Sequence, residues 1–311
     1  MGWDKFIVIA WDATPSGYSF ELTVSSTTSG QNRDTSSGNS GTKTNGMLHS
    51  RRCRNFVTEY PDLKNLIATE SRMMPRLSRL NEAAADAVKQ LLPDYADNDL
   101  ASLCSWADRV KFRYHWSSPL HYIDTPDDLC NYEYSRDCKD ENGEEGFCVS
   151  GAIQNYTKQL LTYGTSSESQ YIHQPLHVGF TSDKGGNTID VHWYRRKTVL
   201  HHVWDDNIIE TAEEQFYSSS VEDMIDDIKK NITGEWAGLV GKWERCSSGR
   251  NTCPDIYATE SIAAACDWAY KNVTEDSTLD DNYFLSRYPI ANLRLAESGV
   301  RLAATLNRIW G

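Results

Sequence analysis

Asn81-Glu-Ala-Ala-Ala-Asp-Ala-Val-Lys-Gln-Leu-Leu92 sets the fold class of this chain. Asn is a strong N-cap, because its side chain accepts a hydrogen bond from one of the orphan amides of a first helical turn. Four alanines follow, and Ala costs less than any other residue in a helix. Pro93 stops the run. The same helical period recurs downstream. Residues 99–109 carry Leu100, Leu103, Trp106 and Ala107 on one face. Further helices are predicted at 151–163, 203–216, 221–232, 234–243, 256–272 and 283–310. In the last of these, Ile290, Leu293, Ala296, Val300 and Ala304 form one apolar stripe, and Trp236, Trp243 and Trp268 read as helix core. Only 188–193 and 114–116 look faintly like strands. The chain therefore reads as all-α, a single helical domain over 81–311.

Residues 1–80 differ in character. The tract 25–46 is Ser, Thr, Gly and Asn with almost no apolar residue, so it cannot offset its ordering entropy and is expected to be poorly ordered. Residues 51–79 show no clear period. The chain has 311 residues and a net charge of −13. Its mean hydropathy is −0.58, and no apolar run is long enough to span a bilayer. An acidic surface disfavours a scaffold that grips duplex by its phosphates. It does not exclude a nuclease in which bound metal supplies the local positive field.

The eight cysteines are Cys53, Cys104, Cys130, Cys138, Cys148, Cys246, Cys253 and Cys266. None forms a C-x-x-C pair, which argues against a zinc ribbon. Cys138 with Cys148, and Cys246 with Cys253, look like locally bridged loops of an oxidising compartment. Sequons at Asn155, Asn231 and Asn272 agree with secretion and glycosylation. The first twelve residues have no basic n-region and make no convincing signal peptide.

Candidate chemistry lies in His173-Gln-Pro-Leu-His177 and His201-His-Val-Trp-Asp205. On a helix, His201 and Asp205 share one face. With His177 they make two imidazoles and a carboxylate, which suits a zinc site. The alternative is two unrelated His-rich surface spots. Upstream, Asp108 reads alone as a helix-terminal charge and His121 as a satisfied core histidine. Taken with Asp124 and the downstream set, they extend a His/Asp ligand field. Gly185-Gly-Asn187 allows close backbone approach to a ligand, with an amide placed to orient a phosphate, or is an ordinary turn.

The run His173 to Asn187, Val191-His-Trp193 and Leu200 to Ile208 resemble plant bifunctional (class I) nucleases. These belong to the zinc-dependent single-strand nuclease family of the S-one/P-one type, which shares its helical architecture with zinc phospholipase C. The resemblance runs from about Asn81 to Gly311. It implies three zinc ions, and hydrolysis of single-stranded DNA and RNA to 5′-phosphorylated products, with 3′-nucleotidase activity. A monomeric, glycosylated protein, secreted or vacuolar and not bound to membrane, is implied too. One zinc is then held by His177, His201 and Asp205, and a deeper one by Asp108 and His121. Tyr122 falls at the base-stacking position. Asp124 and Asn187 fall near the attacked phosphate, Asn187 also binding substrate. In the implied mechanism the paired zincs lower the pKa of a bridging water, and the third stabilises the leaving oxygen.

The chain departs from that pattern. The family's mature chain starts at a Trp followed closely by a His. Here Trp3 is internal and the first His is His49. The places of the deep zinc's second His and bridging Asp fall on Ser167 and Tyr171. Cys104 loses its usual partner, and Cys53 is a doubtful replacement. One zinc site is expected complete, one with two ligands of four, and one lost. The sequence thus predicts about one tightly bound zinc and a weak or inactive nuclease. The alternatives are a degenerate, non-catalytic zinc-binding glycoprotein and a zinc phospholipase, the latter opposed by Tyr122 and the plant-type block.

Overall fold

The computed structural model describes residues 79–93, 113–163, 171–247 and 249–311. The helix expected at 99–109, the segment 1–78, Cys53 and Cys104 lie outside them. In chain order the described elements begin with helix α1 (Glu82–Leu91), a 3-10 segment (His115–His121), strand β1 (Ile123–Thr125), α2 (Tyr134–Asp137) and α3 (Val149–Tyr163). Two 3-10 turns, Tyr171–His173 and Pro175–His177, lead into β2 (Val178–Phe180), β3 (Asp190–Trp193) and β4 (Arg196–Val199). Next come α4 (Leu200–His202), a π turn (Val203–Asn207), α5 (Ile208–Phe216), α6 (Val221–Thr233) and α7 (Ala237–Trp243). The chain closes with α8 (Pro254–Ala264), a second π turn (Ala265–Ala269), β5 (Thr278–Leu279) and α9 (Asp281–Trp310).

The all-α class holds, with a few very short strands added. Asn81 caps α1 as its sequence requires, accepting the Ala84 amide at 2.7 Å. The apolar stripe of α9 faces inward, with Ala296 and Val300 buried beside Met224, Ile228 and Trp243. α9 also packs against α1, where Leu306 meets Ala84 and Val88. The main core gathers Ile123, Leu176, Val191, Val203, Ile262 and Phe284, all almost fully buried. Each such side chain contributes roughly 1.5–3 kcal/mol of burial. Among the described residues no helix is long and apolar enough to cross a membrane.

Three expectations need correction. Residues 114–116 are not a strand: His115–His121 winds as a 3-10 helix, and Ser117 donates its amide back to Tyr114. Trp268 is not core. It sits on the π turn with 36% of its surface exposed, because the widened turn rotates it off the apolar face of α8. The expected helices 203–216 and 256–272 are each interrupted by a π turn.

The two π turns are joined through the core. Trp204 on the first donates its indole N–H to the Tyr283 hydroxyl at 2.9 Å. That hydroxyl donates to the Ala269 carbonyl on the second at 2.8 Å. Disulfides close Cys138–Cys148 and Cys246–Cys253, as the spacing suggested. A third, Cys130–Cys266, ties the loop after β1 to the second π turn.

Candidate metal centre

β1 and β2 lie parallel, with Asp124 opposite Gly179. Their pairing sets Asp124 beside the strand that leaves His177. His177 ends the 3-10 turn Pro175–His177, which Pro175 starts with its fixed φ. His201 lies on α4 and Asp205 on the π turn that follows. The histidine Nε2 atoms each stand 3.4 Å from Asp205, His177 at Oδ1 and His201 at Oδ2. The candidate ligand atoms of all three residues fall within 4.8 Å of one another. The three side chains are largely buried, so a cation placed among them would be shielded from bulk water.

Two of the three candidate ligands are oriented by neighbours. Gln174 donates its amide to Asp205 Oδ1 at 2.7 Å, while its own carbonyl oxygen accepts the Leu176 amide. The Gly185 carbonyl lies 2.7 Å from His201 Nδ1. That pairing places the ring proton on Nδ1 and leaves the Nε2 lone pair for a metal. Burial pushes the Asp205 carboxyl up, but His201, His177 and Gln174 outweigh it and hold the group well below the usual carboxylate range. Burial also holds the His201 imidazole below its ordinary value, against the pull of Asp205. A carboxylate kept ionised beside a neutral imidazole is the donor set that a divalent first-row metal needs. The residues present therefore fit such an ion.

The Gly185–Gly186 turn needs glycine. Both residues have positive φ, 63° and 79°, and a Cβ on Gly185 would stand 2.3 Å from the Leu176 carbonyl oxygen. Asn187 is exposed on this turn, its amide donating to the Lys184 carbonyl at 2.8 Å. Asp124 is half-buried. Burial first and Asp183 second raise its pKa to about 6, against the opposing charge of Lys184. Tyr122 is 39% exposed, leaving much of its ring open to a partner. His121 ends the 3-10 segment, and Asp108 lies outside the described residues, as does Ser167. Among the described residues His121 joins no group of three candidate ligands.

Beneath the site lies a buried ionic layer. Arg294 pairs with Glu297 and Glu260, and Arg301 reaches Glu260 at 2.5 Å. Arg294 also donates to the His173 carbonyl, and Ser261 to that of Ile172, which fixes the backbone just before Gln174. His173 itself is 4% exposed and its ring nitrogens have no partner. It is no ligand of the site. Sequence reasoning missed Gln174, Asp183 and Tyr270. Gln174 could have been suspected from its place between two histidines of one block, whereas Tyr270 carried no local signal.

A helical domain that brings two imidazoles and a carboxylate together in this way offers a candidate site for a divalent metal. Residues 77–311 match the family model for S1/P1 nuclease. The chain is 64% identical to Endonuclease 2 of Arabidopsis thaliana over 251 residues, covering 75% of this chain and 86% of that relative. It is 51% identical to Endonuclease 4 of the same plant over 252 residues, 75% of this chain and 84% of the relative. Against Nuclease S1 of Aspergillus oryzae it is 31% identical over 246 residues, 71% and 83% of the two chains. The chain belongs to the S1/P1 nuclease family, among its plant members, and is with them a hydrolase of the endonuclease type.

Proposed function

We propose that this chain is a zinc-dependent endonuclease that cleaves single-stranded DNA and RNA to 5′-phosphorylated products and acts on 3′-nucleotides. The observation that carries the reading is the convergence of His177, His201 and Asp205 within a chain of this family. Those three residues would hold one zinc, and Asp108 with His121 would contribute to a second. Zinc bound there supplies a Lewis acid for phosphoryl oxygens and an acidified water. The chain's own residues do the rest. Tyr122 offers a ring face on which any base can stack. Asn187 orients the phosphate. Asp124, with a pKa of about 6, exchanges a proton near neutral pH.

Ser167 and Tyr171 stand where the family resemblance calls for two ligands of the deep metal, so turnover is expected to be weak. The same two residues favour a second reading, a non-catalytic zinc-binding glycoprotein. Glycosylation fits best at Asn155 and Asn272, which are exposed, Asn272 on a turn with φ 61°. Asn231 is half-buried at the end of α6. Secretion or residence in the endomembrane system accords with these sites and with the disulfides, and the chain is expected to act as a monomer. Hydrolysis of single-stranded DNA by the purified chain, abolished by chelator and restored by zinc, supports the enzyme. Zinc binding without hydrolysis supports the glycoprotein, and three tightly bound zinc equivalents would overturn the incomplete-site reading.

A further inference from the structure

Tyr270 is the residue that follows the second π turn, which Cys130–Cys266 holds in place. Its ring stacks on Phe180 at 4.6 Å between centroids, nearly parallel at 14°. Its hydroxyl accepts the Phe180 amide at 3.1 Å and donates to Asp183 Oδ1 at 3.0 Å. The same carboxylate oxygen accepts the Gly186 amide at 2.7 Å. One oxygen thus ties the end of a core helix to the Gly185–Gly186 turn.

That turn has no intrinsic reason to stay put. Glycine adopts positive and negative φ with equal ease, so Gly185 and Gly186 need external restraint. The turn delivers two contacts to His201. The Gly185 carbonyl meets Nδ1 at 2.7 Å, and the Gly186 carbonyl accepts the His201 backbone amide at 3.2 Å. Rotation of the Gly185 peptide would remove the acceptor that holds the proton on Nδ1. The packing leaves little room for water to replace a lost hydroxyl. A Cβ on Gly179 would lie 2.9 Å from the Tyr270 oxygen and 2.5 Å from the Gly185 Cα.

We infer that Asp183 and Tyr270 are positioning residues for the metal ligand His201, acting through the Gly185 carbonyl to fix its tautomer and direction. The inference rests on the metal reading above. Groups that orient metal-bound histidines change affinity by about 10–100-fold when removed. Tyr270→Phe keeps the ring and its stacking and removes the oxygen alone. Asp183→Ala removes both hydrogen bonds, and Asp183→Asn restores one acceptor.

The test is zinc affinity of the full chain, measured by competition with a chromophoric chelator, together with the His201 tautomer by nitrogen-15 NMR of the metal-free chain. Tyr217→Phe is the control. It deletes a hydroxyl bonded to Asp227 and Tyr288 that does not reach the site. The expected result is about a tenfold loss of affinity in Tyr270→Phe, a larger loss in Asp183→Ala, and partial rescue in Asp183→Asn. The Nδ1-protonated fraction of His201 falls in the same order, and Tyr217→Phe loses stability without losing affinity. If Asp183→Ala does not fold, Tyr270→Phe carries the test. Wild-type affinity and an unchanged tautomer in both Tyr270→Phe and Asp183→Asn overturn the inference while the metal site stands. A wild-type chain that binds no zinc overturns the metal reading and this inference with it.

Discussion

The imidazoles of His177 and His201 lie nearly parallel, 5.1 Å apart between centroids at 22°, and aim Nε2 at opposite oxygens of Asp205. Two stacked rings at that distance cannot both be protonated without repulsion. Burial holds the His201 imidazole below its ordinary value and Asp205 stays ionised, a donor pair suited to a divalent cation. Asp205 in turn depends on Gln174 for its direction.

Replacing Gln174 separates direction from charge. Gln174→Ala removes the donor to Asp205 and the acceptor for the Leu176 amide, and is expected to weaken zinc binding about 10–100-fold. Gln174→Glu adds a second carboxylate against Asp205. It raises the carboxyl pKa values of the pair, so its zinc affinity is expected to fall steeply as pH drops. Chelator competition at pH 5.5 and 7.5 reads both effects.

Lys184 lowers the pKa of Asp124, which burial and Asp183 raise to about 6. Lys184→Met removes the opposing charge, so Asp124 should titrate at higher pH, by less than about one unit because Lys184 is exposed. If ionised Asp124 serves the reaction, the acid limb of the single-strand cleavage profile moves up by the same amount. An unmoved limb assigns it to another group.

His173 supplies a stability prediction. Burial, then Arg294 and Arg301, hold its pKa well below the ordinary value of 6.5. The unfolded chain therefore binds a proton that the folded chain refuses, and stability falls as pH drops below about 6.5. The slope is about 1.4 kcal/mol per pH unit for this one group. His173→Phe keeps a ring against Tyr257, 5.1 Å away between centroids, and removes two unpartnered nitrogens. Urea melts of the metal-free chain at pH 7 and pH 5 should show a smaller loss in the variant than in the wild type.

The Cys130–Cys266 bridge closes a sequence separation of 136 residues. Replacing both cysteines with Ala should cost about 2–5 kcal/mol by denaturant melting. It should also lower zinc affinity, because Cys266 anchors the turn that presents Tyr270. A loss of stability with unaltered affinity would detach the bridge from the site.

Most helices could be read from the sequence because their apolar positions repeat at the helical period, as in α1, α6 and the stripe of α9. The His177, His201 and Asp205 group could be read because two of its members share a helical face and the third lies in a short, dense block. The π turns could not. One added residue leaves the apolar rows on either side intact while it rotates what lies between, which is why Trp268 looks like core in the sequence and stands exposed in the fold. The pairing of Cys130 with Cys266, and Tyr270 with Asp183, joins residues far apart in the chain with no periodic signature. Tyr114 and Trp116 mimic a strand because aromatic residues favour sheets, yet from His115 onward the chain winds tightly instead.

The two π turns linked by Trp204, Tyr283 and Ala269 make chain length a variable of the site. A widened turn holds one residue more than the α-helix it interrupts. Losing one residue from 203–207 would let the helix close to ordinary pitch and swing Asp205 or His201 by about a quarter turn, since successive α-helical residues differ by roughly 100°. The same loss from 265–269 would carry Tyr270 away from Asp183. The frame of the site thus depends on the number of residues in each turn as well as on the side chains they carry.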